Sequence, residues 1–226
     1  MANISAFESS KTCNLKAFVR AIKNGEYEYF EYLHNAVVYN HINIIKYMIK
    51  KNLIEAQQVG VKAIEYGRWE IFSYIIKTYE YDMITYYDYI LKHNRSDFLK
   101  NLESKIKQLN QENVKDIYKK AAQYGHDGVF AQLYSSKLKI DDKLVLKYIL
   151  KNGRFELFKL FTEETKQKYL TYSINLSIKY GYITIMKWIF KNIKYDNNIV
   201  MSAIEFAKSK DINRMDAVKT LKKYLQ

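Results

Sequence analysis

Apolar residues along this chain return in a block whose period is close to constant. With Cys13, Asn40, Gly67, Asn94, Gly125, Gly153, Gly181 and Asn213 as anchors, successive intervals are 27, 27, 27, 31, 28, 28 and 32 residues. Four and five positions past each anchor stand Ala17-Phe18, Ile44-Ile45, Ile71-Phe72, Phe98-Leu99, Val129-Phe130, Leu157-Phe158, Ile185-Met186 and Ala217-Val218. Eight positions past stand Ala21, Met48, Ile75, Leu102, Leu133, Phe161, Ile189 and Leu221. Apolar side chains at i, i+1 and i+4 share one stripe of a helix, whereas Lys46, Lys159 and Lys187 fall on its wet side. Each anchor therefore opens a helix, B.

A companion helix, A, precedes each anchor. Small or apolar pairs lie four and three positions upstream: Ala36-Val37, Ala63-Ile64, Ile90-Leu91, Ala121-Ala122, Ile149-Leu150 and Ser177-Ile178. Gly or Asn at the anchor suits a helix that ends in a left-handed turn, where most side chains are strained. The unit is helix, tight turn, helix. Two helices of about ten residues leave about seven for the turn and the link to the next unit, a normal connection length. A unit this short cannot bury its own apolar face, so neighbours must stack and share an elongated core. The pattern predicts an all-α solenoid of seven to eight repeats, spanning 1–226 as one domain. Strands would suit 22 Tyr and abundant Ile, but period-2 alternation is nowhere sustained.

Composition agrees with that picture. The chain has no proline and only seven glycines, so neither a rigid helix breaker nor a Pro-rich linker marks a domain boundary. The longest intervals place lengthened loops near Asn101 to Asn113 and near Lys208 to Ile212. Met1 to Thr12 is too short for a full helix A, which predicts a first unit reduced to its B helix, or an edge covered by a partner or a second copy of the chain. Lys219, Lys222 and Lys223 give the last helix a polar, capping character. A single cysteine excludes an internal disulfide and fits a reducing compartment. With no apolar run of membrane-spanning length and no hydrophobic signal core in Met1 to Leu15, the expectation is a cytoplasmic chain. The sequons at Asn3, Asn94 and Asn175 then carry no weight.

The segments Ala121-Ala-Gln-Tyr-Gly-His126, Ala63-Ile-Glu-Tyr-Gly67 and Ser177-Ile-Lys-Tyr-Gly181, with helices such as Ile44-Ile-Lys-Tyr-Met-Ile49, resemble half of an ankyrin repeat. The resemblance is to the degenerate, Tyr- and Lys-rich variety found in proteins of large DNA viruses. It covers nearly the whole chain. His34 matches the family's helix-A histidine, and His41 and His126 match the one after the turn glycine. The Thr-Pro-Leu-His motif of that family is absent, and the short period leaves β-hairpin fingers shortened or missing. The resemblance implies a non-enzymatic protein-protein scaffold or adaptor, modulating host factors in an infected cell's cytoplasm, with the partner held on a concave helix-A face.

If helix A lines that face, a ladder of rings and ammonium groups results: Tyr39, Lys62, Tyr66, Tyr89, Lys92, His93, Lys120, Tyr124, Tyr148, Lys151, Lys179 and Tyr180. Two readings stay open for it. Each Tyr can end helix A and pack on the next repeat, or part of the row can be a contact surface, since Tyr offers large amphipathic area at low entropy cost.

Charge adds a second class of function. The formal net charge is +13, and residues 101–226 carry 24 Lys/Arg against 13 Asp/Glu, while residues 1–100 carry 13 against 11. A basic C-terminal half suits nucleic acid, an anionic surface or an acidic partner. The alternative function is therefore non-specific phosphate binding through Lys120, Lys143, Lys147, Lys151, Lys179 and Lys187. Few arginines, no zinc set and no ribonucleoprotein motif argue against sequence-specific reading. Gly125-His-Asp-Gly128 fits a GXXG loop only by coincidence, its first glycine ending helix A and its last lying inside helix B.

Catalysis finds no marker. The chain lacks G-x-S-x-G, H-E-x-x-H, a P-loop and G-x-G-x-x-G. Of four histidines, only His93 replaces a ladder tyrosine and is a surface candidate. Cys13 reads as a packed thiol, and Glu163-Glu164 and Asp141-Asp142 as helix starts. No catalytic residue, metal site or cofactor is assigned.

Overall fold

In the computed structural model, which describes residues 5–79, 83–135 and 140–225, the anchors and the turns coincide. All eight anchors have positive φ: Cys13 58°, Asn40 59°, Gly67 67°, Asn94 56°, Gly125 72°, Gly153 64°, Gly181 82° and Asn213 43°. Helices A end within two residues of the first seven anchors: α1 (Ala6–Thr12), α3 (Tyr29–Val38), α5 (Ala56–Glu65), α7 (Met83–Lys92), α10 (Gln111–Tyr124), α12 (Asp142–Lys151) and α15 (Leu170–Tyr180); the last, α17 (Asn197–Lys208), stops at Ser209, before the lengthened link to Asn213. Helices B begin two residues past each anchor: α2 (Leu15–Lys23), α4 (Ile42–Lys50), α6 (Trp69–Thr78), α8 (Ser96–Asn101), α11 (Asp127–Ser135), α13 (Phe155–Lys159), α16 (Ile183–Asn192) and α18 (Met215–Leu221). Two short helices, α9 (Glu103–Ile106) and α14 (Glu163–Lys168), fill links between modules. The fold is all-α, and no strand occurs among the described residues.

The first module differs from expectation. It has a helix A, seven residues long, because Ser5 caps it by accepting from the Glu8 amide and Glu26 accepts from the Ala6 amide at 2.7 Å. The Asn3 sequon lies outside the described residues.

Packing groups the chain into two units, Met1–Asn101 and Leu102–Gln226, dividing inside the 31-residue interval between Asn94 and Gly125. In the first unit α3 packs on α1, α4 and α5, and α5 on α6 and α7. In the second, α10 packs on α11 and α12, α12 on α13 and α15, and α15 on α16 and α17. Principal contacts in each unit thus join a module to itself or to its neighbour.

The apolar stripe makes these contacts. Every residue four, five and eight past an anchor is buried except half-exposed Ala17, as are the six helix-A pairs. Such side chains contribute about 1.5–3 kcal/mol each on burial. Rings reinforce the seams: Phe72 stacks on Phe98 at 5.4 Å in the first unit, and Phe158 meets Trp188 edge-on at 5.9 Å in the second. Gly60, in the middle of α5, admits the close approach of α7, since a Cβ there would meet the Tyr86 hydroxyl at 2.5 Å.

Candidate interaction surface

Five of the helices A close with the same two-bond left-handed turn. At Gly67, for example, the Gly67 amide donates to the Ile64 carbonyl (3.1 Å) and the Arg68 amide to the Ala63 carbonyl (2.7 Å). The same pair recurs at Asn40, Asn94, Gly153 and Gly181. It leaves the carbonyl two before the anchor with no backbone donor.

That carbonyl is satisfied by the following module. Arg68 donates from Nε to the Val37 carbonyl (3.2 Å) and from Nη2 to the Val38 carbonyl. Arg95 does the same to Ile64 (2.8 Å) and Glu65, and Arg154 to Ala122 (3.1 Å) and Gln123. Other side chains substitute at the same register. His41 Nε2 lies 2.6 Å from the Lys11 carbonyl, which requires the proton on Nε2, and the Tyr182 hydroxyl donates to the Lys151 carbonyl at 3.4 Å. A guanidinium suits the place: it presents two donors in a fork, and its charge faces the negative pole of a helix. Arg214 departs from the pattern and grips Asp216 instead, at 2.9 and 2.6 Å.

Sequence reading missed this device, though the signal was legible. Four of the five arginines, Arg68, Arg95, Arg154 and Arg214, directly follow an anchor. That position caps helix B, where Ser, Thr, Asp or Asn is preferred; only Asn14 follows the rule, accepting from the Ala17 amide. An arginine there has its side chain committed elsewhere.

The predicted ladder divides between packing and exposure. In the first unit Tyr66 is half-buried and meets His34 of the preceding helix edge-on at 5.2 Å, while Tyr39 is 51% exposed and stacks on His41 at 6.1 Å. Lys62 pairs with Glu65 at 3.1 Å beside the Tyr66 ring. Tyr89 and His93 are half-buried and Lys92 is exposed. In the second unit Lys120 pairs with Asp116 at 3.3 Å, and Tyr124, Tyr148 and Tyr180 are half-buried. Burial first, then the carboxylates of Glu112 and Asp116, raise the Tyr148 phenol above its ordinary pKa. Lys151 and Lys179 are exposed.

Two exposed rings of the first unit lie outside the predicted set, Phe30 at 73% and Tyr27 at 69%. Phe30 lines an open groove of about 740 Å³ with Ile49, Leu53, Ile54 and Tyr79. Neither belongs to the recurring stripe, and an isolated aromatic at a helix start carries no periodic signal.

Cys13 is exposed at its turn rather than packed. Among the described residues no cluster of three or more His, Cys, Asp or Glu is placed to hold a metal ion, and no helix is long and apolar enough to cross a membrane. Comparison with protein-family models, with curated proteins and with solved structures finds no match.

Proposed function

We propose that this chain is a divergent ankyrin-like α-solenoid with short or missing fingers, a non-enzymatic scaffold that binds a protein partner through its first unit. The observation that carries the reading is a pair of large rings held in solvent at the two ends of one helix, Phe30 in the first turn of α3 and Tyr39 at its C-terminal cap, the first of them beside an open groove of mixed lining that includes Ile49, Leu53, Ile54, Asn52, Glu55 and Gln57. Leaving a phenylalanine three-quarters exposed forgoes most of its burial energy, and a contact that covers it recovers about 1.5–3 kcal/mol. Tyrosine adds amphipathic area with few rotors to freeze. The adaptor role and the cytoplasmic setting, in an infected cell for a viral chain, are carried by the family resemblance.

Affinity capture from cytosol, nuclease-treated, tests it. The wild-type chain is expected to retain a partner that a Phe30→Ser, Tyr39→Ser double variant with unchanged melting temperature releases. Equal retention by both removes the first unit as the contact surface.

A further inference from the structure

Counted back from the anchor, positions ten, six and two of helix A form one solvent-facing column, because steps of four advance a helix by little more than a turn. In the first unit this column holds Phe30, His34 and Val38 on α3, Gln57, Val61 and Glu65 on α5, and Ile84, Asp88 and Lys92 on α7, a mixture of apolar, acidic and basic residues. In the second it holds Lys115, Lys119 and Gln123 on α10, Lys143, Lys147 and Lys151 on α12, and Thr171, Asn175 and Lys179 on α15, while on α17 the same register is buried at Ala203 and Ala207. One backbone register therefore carries mixed chemistry in the first unit and, on α10 and α12 of the second, five lysines out of six positions.

The six lysines are exposed and none forms an ion pair with a carboxylate of the described residues. The nearby acids are otherwise engaged: Asp116 pairs with Lys120, Asp141 caps α12 by accepting from the Lys143 amide, and Asp142 accepts from the hydroxyls of Tyr134 and Thr165, both at 3.4 Å. Glu112 is exposed in the first turn of α10, and Asp141 keeps its charge beside the Tyr172 ring. Helices α10, α12 and α15 pack in sequence, so the columns run side by side, about 8–10 Å apart, with lysines about 6 Å apart along each. Ammonium groups spread over such a strip cannot converge on one small anion. They can follow a polymer of regularly spaced negative charge.

Aromatic surface lies at the end of the strip. Lys143 Nζ stands 5.0 Å from the centroid of the Tyr172 ring, across from α12 to α15. Both residues line an open cleft of about 420 Å³ together with Gln167, Lys168, Tyr169 and Thr171. A planar base on a tyrosine ring, with phosphates on an adjoining lysine row, is the arrangement by which proteins hold single strands without reading sequence.

We infer that the helix-A row of the second unit binds single-stranded nucleic acid, with Lys143, Lys147 and Lys151 on the phosphates and the Tyr172 cleft receiving a base. This site is independent of the protein contact proposed for the first unit.

Fluorescence anisotropy of labelled oligothymidylate and oligouridylate, titrated with the full chain at two salt concentrations, tests it. Wild type binds at low salt, with log K falling against log[salt] by about 0.7 per phosphate engaged. K143Q/K147Q/K151Q weakens binding about tenfold or more and flattens that slope by about 2. K219Q/K222Q/K223Q, which removes equal charge from exposed positions elsewhere in the unit, changes affinity by less than about twofold. Y172A weakens binding severalfold and leaves the slope unaltered. In wild type, photocrosslinks from a halogenated uridine strand map to the peptide that contains Tyr172. Failure of wild type to bind at low salt overturns the inference. So do equal losses in the two triple variants, crosslinks confined to other peptides, or a preference for duplex, polyglutamate or anionic vesicles over the single strand.

Discussion

The guanidinium of Arg154 does two tasks at once: it occupies the start of its own helix and it completes the end of an earlier one. Removing it leaves the Ala122 and Gln123 carbonyls at the negative pole of α10 to water, so Arg154→Ala should lower stability by about 0.5–1.5 kcal/mol in urea titration. Arg154→Lys should recover little, because one ammonium cannot span two carbonyls in a fork. Gly125→Ala should produce a comparable loss from the opposite side. Its Cβ would sit 2.5 Å from the Arg154 guanidinium, and alanine is strained at φ 72°. At this scale the sequence was half legible. The left-handed anchors could be read because Gly and Asn advertise their backbone. The arginines' recurrence after the anchors was visible, but not their acceptors, which are main-chain carbonyls that any residue supplies. Exposed Cys13 shows the same blindness, because the anchor dictates its φ of 58° but not its surroundings.

Among the elements, α18 illustrates how a helix start is secured when the backward link is absent. Arg214 folds onto Asp216 in the first turn, and this bond, above all, holds the Asp216 carboxyl near a pKa of about 2, below its ordinary 3.8. A depressed carboxylate pKa stabilises the fold fully above the ordinary value, and that contribution disappears as pH falls through the folded one. Asp216→Asn should therefore lower stability slightly between pH 5 and 7, by no more than about 1 kcal/mol for so exposed a pair, read from urea titration. The difference from wild type should shrink steeply as pH falls from about 4 to 2 and vanish only below the folded-state pKa. A difference that persists at the lowest pH would assign the effect to helix capping rather than charge. The starts of the helices B were legible because stripe and turn signals reinforce one another, whereas the short α8 and α13, and α9 inside the stretch expected to be a loop, were not. The seven-residue α1 was not, since its stability comes from Glu26, a residue distant in sequence that no local pattern connects to it.

For the whole molecule, packing restricted to neighbouring modules means that a defect is felt locally. Hydrogen-exchange mass spectrometry should find that Arg68→Ala raises exchange in α3 to α6 far more than in the helices of the second unit, as nearest-neighbour stability requires. Uniform acceleration along the chain would instead mark a single cooperative body. The division at Asn101 was invisible in the sequence, because the boundary carries no proline, glycine run or change of pattern, only a lengthened interval. The chemical contrast between the units was legible as net charge, but its concentration on one helix-A column emerged only once the register was fixed. Each arginine fork also imposes an order in time. Arg68 and Arg95 stand 31 residues beyond the first carbonyls they reach and Arg154 stands 32 beyond, so a growing polypeptide leaving the ribosome cannot finish any of these hairpins until translation has delivered the next. Its most recently made hairpin is always unlatched.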